Sequence, residues 1–197
     1  MGKQIHLKKI EELFDKSNVV DFKSIKRVVG NENYAKLLIH NLIKSKKIYK
    51  LSKGSYTKHL DSSLSVFAFS PAYLGLYSSL SFYGIWEQET IPVIITTKKI
   101  RRGLRNILGS NVLIKNIDKK YFFGFDLKKE GNFYLPYSDL EKTFIDFVFY
   151  NINLSEEIVS NLRRKIDKSK LLKYLKVYPQ RIKNKVSSLL FGKQSLI

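Results

Sequence analysis

The sequence predicts an α+β protein built as two modules, a small basic N-terminal one and a larger mixed α/β one that ends in basic helices. Three observations carry that expectation. The apolar residues change period along the chain, from helical spacing over the first 46 residues, through a β-branched middle, back to helical spacing after residue 138. Charge is gathered at the two ends. With 197 residues, an even split leaves each module a modest core of its own.

The formal net charge of +19 calls for a polyanionic partner, and nucleic acid, an anionic membrane surface and an acidic protein all satisfy it. Residues 1–60 hold 14 Lys/Arg against 5 Asp/Glu, residues 61–154 hold 11 against 9, and residues 155–197 hold 11 against 3. The ends are therefore basic and the middle nearly balanced. An apolar fraction of 44% and an aromatic fraction of 13% are those of a folded chain, so the charge does not signal disorder.

Several chemistries are excluded early. The chain has no Cys, which removes disulfides, thiolate metal sites and thiol catalysis and suits an intracellular protein. His6, His40 and His59 match no common metal-ligand spacing, so no metal or cofactor is expected. No apolar run approaches eighteen residues, and Met1 to Lys9 lacks the apolar stretch of a signal peptide. The expectation is a cytoplasmic protein with no membrane partner.

In the first module, Ile5, Leu7, Ile10, Leu13 and Phe14 mark a helix of about three turns. Asp21 can cap a second helix that turns Phe22, Ile25, Val28 and Val29 inward, and Gly30-Asn31 supplies the stop. A third helix over about 32–46 buries Ala35, Leu38, Ile39 and Leu42. Asn33, Lys36, His40 and Lys44 then share its opposite face, with Leu37 and Asn41 beside them. Two strand-like segments follow around Ser52-Lys53-Gly54-Ser55, carrying Lys50, Lys53 and Lys58. Three helices and a basic hairpin in this order predict a winged helix-turn-helix over residues 1–60, with the third helix in the major groove and the hairpin on flanking phosphates. Asn33, Lys36, His40 and Asn41 are the candidate base readers, and Lys44, Lys47, Lys50 and Lys53 complete the DNA-binding set. The same order of elements also suits a protein-binding module.

Residues 61–197 form the second module. Ser70-Pro71 reads as the cap and first position of a helix running to about Tyr83 and ending at Gly84, with Ser78, Ser79 and Ser81 on its surface. Strands are expected at 91–97, 112–117, 121–125 and 132–135, and Lys98 to Arg105 reads as a basic loop. Ser138-Asp139-Leu140-Glu141 reads as a capping box opening the helix 142–150. Helices over 155–166, 169–177 and 179–190 form the basic tail.

Leu74-Gly75-Leu76-Tyr77-Ser78-Ser79-Leu80-Ser81-Phe82-Tyr83-Gly84-Ile85 and Ser138-Asp139-Leu140-Glu141-Lys142-Thr143-Phe144-Ile145-Asp146, placed after a winged helix, resemble the AbiEi-type antitoxins, transcriptional regulators of viral defence systems. That resemblance implies a DNA-binding repressor of its own operon whose region beyond residue 60 counteracts a nucleotidyltransferase-like toxin. Double-stranded operator DNA and a cognate toxin would be its partners.

A stand-alone regulator remains an alternative, as does a scaffold whose basic ends hold an acidic protein. An RNA-binding or nucleotide-processing enzyme needs a carboxylate or metal constellation. Its candidates, Asp118, Asp126, Asp139, Glu141 and Asp146, are scattered without ligand-like spacing, so the expectation is a protein that is not an enzyme.

Overall fold

A computed structural model describes residues 2–192. The chain is α+β and divides into two compact units, residues 1–69 with 104–112, and residues 70–103 with 113–197. The first unit thus runs past residue 60 to Phe69.

In the first unit the order is α1 (Gly2–Lys16), β1 (Val20–Asp21), α2 (Phe22–Val29), α3 (Glu32–Lys44), β2 (Tyr49–Ser52), β3 (Ser55–Thr57) and the single turn α4 (Ser65–Ala68). The local chemistry accounts for the helix ends. The Asp21 carboxylate accepts from the Ser24 amide at 2.7 Å, and Gly30, at φ +80°, ends α2 by donating to the Lys26 carbonyl. One residue later the Asn31 side chain accepts from the Tyr34 amide at 2.9 Å and starts α3. The three helices close on Ile10, Phe14, Ile25, Leu38 and Ile39, all buried, each contributing about 1.5–3 kcal/mol on leaving water.

The hairpin joins this core through a strand that periodicity does not reveal. β1, only two residues long, pairs with β3 so that the antiparallel sheet runs β1-β3-β2. Gly54, at φ +80°, takes the left-handed position of the turn, and its carbonyl accepts from the Phe22 amide at 2.8 Å. The hairpin is thereby tied to the first residue of α2.

After α4 come β4 (Ala72–Leu74), α5 (Tyr77–Phe82), β5 (Val93–Thr96), β6 (Gly103–Ile107), β7 (Ser110–Asn116), β8 (Phe125–Glu130), β9 (Phe133–Ser138) and the helices α6 (Leu140–Phe149), α7 (Glu156–Lys165), α8 (Lys168–Leu175) and α9 (Gln180–Phe191), all in the second unit except residues 104–112 of β6 and β7. The six-stranded sheet has the order β6-β7-β5-β4-β9-β8, with β5 parallel to β7, β4 parallel to β9, and β4–β5 and β8–β9 antiparallel. α6 packs against α5, α7, α8 and α9. Every residue from Glu141 to Val148 is buried, as befits a helix enclosed on all sides.

The structure departs from several local expectations. Ser70-Pro71 does not open a helix: Ala72, Tyr73 and Leu74 form β4 between β5 and β9, because burying Tyr73 and Leu74 in the middle of the sheet outweighs a local capping pattern. Only Tyr77–Phe82 is helical, and Ser78 and Ser79 are buried while Ser81 is exposed. Residues 121–124 are not a strand. The turn Lys119–Tyr121 and the loop after it spend their aromatic rings on side packing, Tyr121 against Tyr178 and Phe122 against Tyr73 and Phe125, and the strand begins at Phe125. The segment 98–105 is not wholly a loop, since Gly103, Leu104 and Arg105 belong to β6.

Finally, the helix cap near residue 138 is Asp139, which accepts from the Lys142 amide at 2.8 Å. Ser138 ends β9, and Glu141 accepts from the Asp167 amide at 2.8 Å instead of closing a capping box. Ser155 and Asp167 cap α7 and α8, and Pro179 precedes α9, close to the expected bounds of the tail helices.

Candidate nucleic-acid interface

The outward face of α3 is set by its buried one. With Ala35, Leu38, Ile39 and Leu42 packed inward, Asn33, Lys36, Leu37, His40, Asn41 and Lys44 are all exposed. Leu37 keeps 53% of its surface in the middle of this polar face. Sequence spacing places it there but gives it no role, and an apolar contact of this size suits the methyl group of thymine.

The lysines expected to meet DNA fall into two groups. Glu32, at the start of α3, binds Lys26 of α2 at 2.6 Å and Lys36 at 2.8 Å. The Lys26 hydrogen bond first, and then Lys36, hold its carboxyl down at about 2. Lys47 is drawn to Glu11 of α1 at 3.6 Å. Lys58 is tied back to Asp15 at 2.7 Å and is only partly exposed, so it is bound into its own unit and not presented with the hairpin lysines. Lys44, Lys50 and Lys53 form the second group. They are exposed and make no ion pair among the described residues.

The two groups behave differently toward a phosphate. An exposed ion pair is worth about 0–1 kcal/mol, so Lys36 and Lys47 can be transferred from a carboxylate to a phosphate at little cost. Lys44, Lys50 and Lys53 need release no partner. On the same face, Asn33 and Asn41 supply paired amide donors and acceptors, and His40 supplies a ring nitrogen.

Four of the five carboxylates singled out as enzyme candidates serve structural tasks. Asp118 caps the turn at 119–121 by accepting from the Lys120 amide, and Asp126 is exposed beside Lys128. Asp139 and Glu141 share Lys170 at 2.9 and 3.0 Å, and Tyr174 donates to Asp139 at 2.8 Å. Those two carboxylates hold the Lys170 ammonium above its ordinary value although partial burial pulls the other way.

Asp146 is wholly enclosed. It pairs with Lys142 one turn before it, and its second oxygen accepts from Tyr73 Oη at 2.7 Å. Both charged side chains have 0% exposure. The ammonium also lies 5.4, 5.8 and 6.0 Å from the rings of Tyr73, Phe123 and Tyr178, which replace water around it. Burial pushes the Asp146 carboxyl up and the Lys142 ammonium down, each opposed by attraction to the other. Helical spacing puts Lys142 and Asp146 on one face, but the sequence contains nothing to say that the face is interior.

Beside this pair runs a chain of hydroxyls. Ser79 Oγ donates to the Leu74 carbonyl at 2.9 Å and lies 2.9 Å from Ser138 Oγ, which lies 2.8 Å from Thr143 Oγ1. Ser78 Oγ accepts from the Val93 amide at 2.8 Å. The stretches 74–85 and 138–146 therefore meet in one buried, mutually satisfied polar layer. Among the described residues no group of His, Asp and Glu could hold a metal ion, and no helix is long and apolar enough to cross a membrane.

No family model matches the chain, and no curated protein does. Among solved structures the chain is similar to the RV2827C protein from Mycobacterium tuberculosis, with a TM-score of 0.61 and 14% identity over 90% of this chain and 73% of that one. A likeness at that identity is one of fold.

Proposed function

We propose that the N-terminal unit is a winged helix-turn-helix that reads double-stranded DNA, and that the protein is a transcriptional regulator. The observation that carries this reading is the exposed polar face of α3, in the same unit as a Lys-bearing hairpin that β1 and the Gly54 carbonyl secure to α2. In such a module the third helix enters the major groove and the hairpin follows the backbone. Asn33, Lys36, His40 and Asn41 then meet base edges with Leu37 among them, and Lys44, Lys50 and Lys53 hold phosphates, with Lys47 exchanging Glu11 for one.

The resemblance of residues 74–85 and 138–146 to AbiEi-type antitoxins supports the finer reading of a cytoplasmic antitoxin. It would repress its own operon, neutralise a nucleotidyltransferase-like toxin through its second unit, and perform no catalysis of its own. The engagement of Asp118, Asp139, Glu141 and Asp146 in caps and ion pairs supports that last point.

Two experiments test the proposal. Purified protein should shift a fragment of its own upstream region at moderate salt in preference to random duplex of the same length. Lys44→Glu with Lys50→Glu should abolish the shift. Equal, weak shifts of both fragments by the unaltered protein would overturn sequence-specific binding. For the antitoxin role, co-expression should rescue growth from the product of a neighbouring nucleotidyltransferase-like gene. Failure to rescue, with operator binding intact, would leave a stand-alone regulator.

A further inference from the structure

The second unit carries a concentrated positive surface that the near-neutral balance of residues 61–154 conceals. Residues 98–103 and 113–120 hold seven Lys/Arg against one Asp. The fold brings these stretches together, because β5 and β7 are parallel neighbours with Thr96 opposite Asn116, so the loops after both strands leave the same end of the sheet. The Ile117 amide donates to the Thr96 carbonyl at 2.9 Å and continues the pairing to the strand ends.

A dedicated side chain holds the first loop in place. Asn116 Nδ2 donates to the Lys98 carbonyl at 2.8 Å and to the Ile100 carbonyl at 3.1 Å. Thr96 Oγ1 accepts from the Lys98 amide at 3.1 Å, and Tyr150 Oη donates to the Asn116 carbonyl at 3.0 Å. Around this frame stand Lys99, Arg102, Lys119 and Lys120, all exposed, and Lys115, whose ammonium lies 4.7 Å over the Tyr150 ring. Partial burial, and then repulsion from Arg102, lower the Lys115 ammonium below its ordinary value. Asp118, the one carboxylate here, faces the Lys120 amide as a turn cap.

Like charges clamped side by side by neutral hydrogen bonds repel one another, and a bound polyanion relieves that repulsion. We infer that the loops 98–102 and 117–120 form a second, sequence-independent contact for the phosphodiester backbone of a nucleic acid, with Lys99, Arg102, Lys115 and Lys119 as its cations. The spread of cations over two loops suits successive phosphates of a strand better than a single small anion. Arginine adds bidentate geometry at one of them. The inference concerns the second unit and does not depend on what α3 reads.

The test uses the full chain in anisotropy titrations at several salt concentrations. The probes are the protein's own upstream duplex, a random DNA duplex and a single-stranded RNA of equal length. Lys99→Glu with Arg102→Glu should weaken binding to both duplexes by the same factor, roughly tenfold, and reduce the slope of log affinity against log salt by about two, with the ratio between the duplexes unchanged. Loss confined to the RNA would identify RNA as the source of the backbone. Lys99→Arg with Arg102→Lys should keep the slope. Unchanged affinity and slope on all three probes in a charge-reversed protein with unaltered thermal unfolding would overturn the inference, as would equal loss in the charge-conserving variant. Failure of the α3 reading would instead show as equal affinity of the unaltered protein for both duplexes.

Discussion

α3 and α6 are both amphiphilic in sequence, and both carry Lys and Asp, Glu or Asn at helical spacing, yet they use those residues in opposite ways. On α3 the polar groups are exposed, and Lys36 is held by a carboxylate that water also reaches. On α6, Lys142 and Asp146 are sealed from water and satisfied by each other, by Tyr73 and by a shell of rings. Exposed, loosely paired groups can be given to a ligand. A buried pair cannot be given up, since either partner left alone faces the full cost of a charge in an apolar medium. The difference separates a surface whose polar groups are free to meet a ligand from a layer whose polar groups are spent on the fold.

The largest expected effect falls on α6. Asp146→Ala strands the Lys142 ammonium and should cost about 3–5 kcal/mol, read as a lower urea midpoint for the second unit's unfolding. Lys142→Met with Asp146→Leu should recover most of that loss, because the buried charge goes with its partner. Neither change should alter discrimination between operator and random DNA in protein that remains folded.

Smaller effects are expected on α3. Asn41→Ala should lower the preference for operator over random duplex by about 1–3 kcal/mol in competition titrations, with the salt slope unchanged. Lys44→Glu with Lys50→Glu should act oppositely, reducing affinity for both duplexes and the slope by about two. Asp21→Ala removes the cap that holds the Ser24 amide and should cost about 1 kcal/mol in thermal or urea unfolding of the first unit. Since that backbone hydrogen bond holds the Asp21 carboxyl below its ordinary value, the contribution is present above that value and lost as pH falls through the folded one.

The smallest effect is electrostatic. Glu32 should titrate near 2, not near 4.5, by NMR of its side-chain carboxyl. Its folded value is depressed, so its pairing is complete above the ordinary value and lost as pH falls toward about 2. Lys26→Ala should move the midpoint up.

Much of the first unit was legible because its signals are local. Asp21, Gly30 and Asn31 punctuate the helices, and a single inward stripe fixes which side chains of α3 face out. β1 was not, since two residues carry no periodicity and exist as a strand only through β3. In the second unit, Ser70-Pro71 had the form of a helix start but was overridden by sheet pairing of Tyr73 and Leu74. The Ser138–Glu141 pattern was right in place and wrong by one residue, because Ser138 serves β9 and the hydroxyl layer. The Lys142–Asp146 pair was invisible as a pair, for charge normally marks a solvent face and only tertiary packing reverses that. The loops 98–102 and 117–120 are separated in sequence by β6 and β7, and the parallel pairing of β5 with β7 brings them together.

The division between binding surface and structural layer is tested most directly by hydrogen–deuterium exchange of the full chain with and without its own upstream duplex. Slower exchange over residues 32–44 and 49–57 on adding the duplex, with residues 140–149 slow and unchanged in both states, is the expected result. Unaltered exchange over 32–57 at saturating DNA would contradict the assignment of α3 and the β2–β3 hairpin as the reading surface.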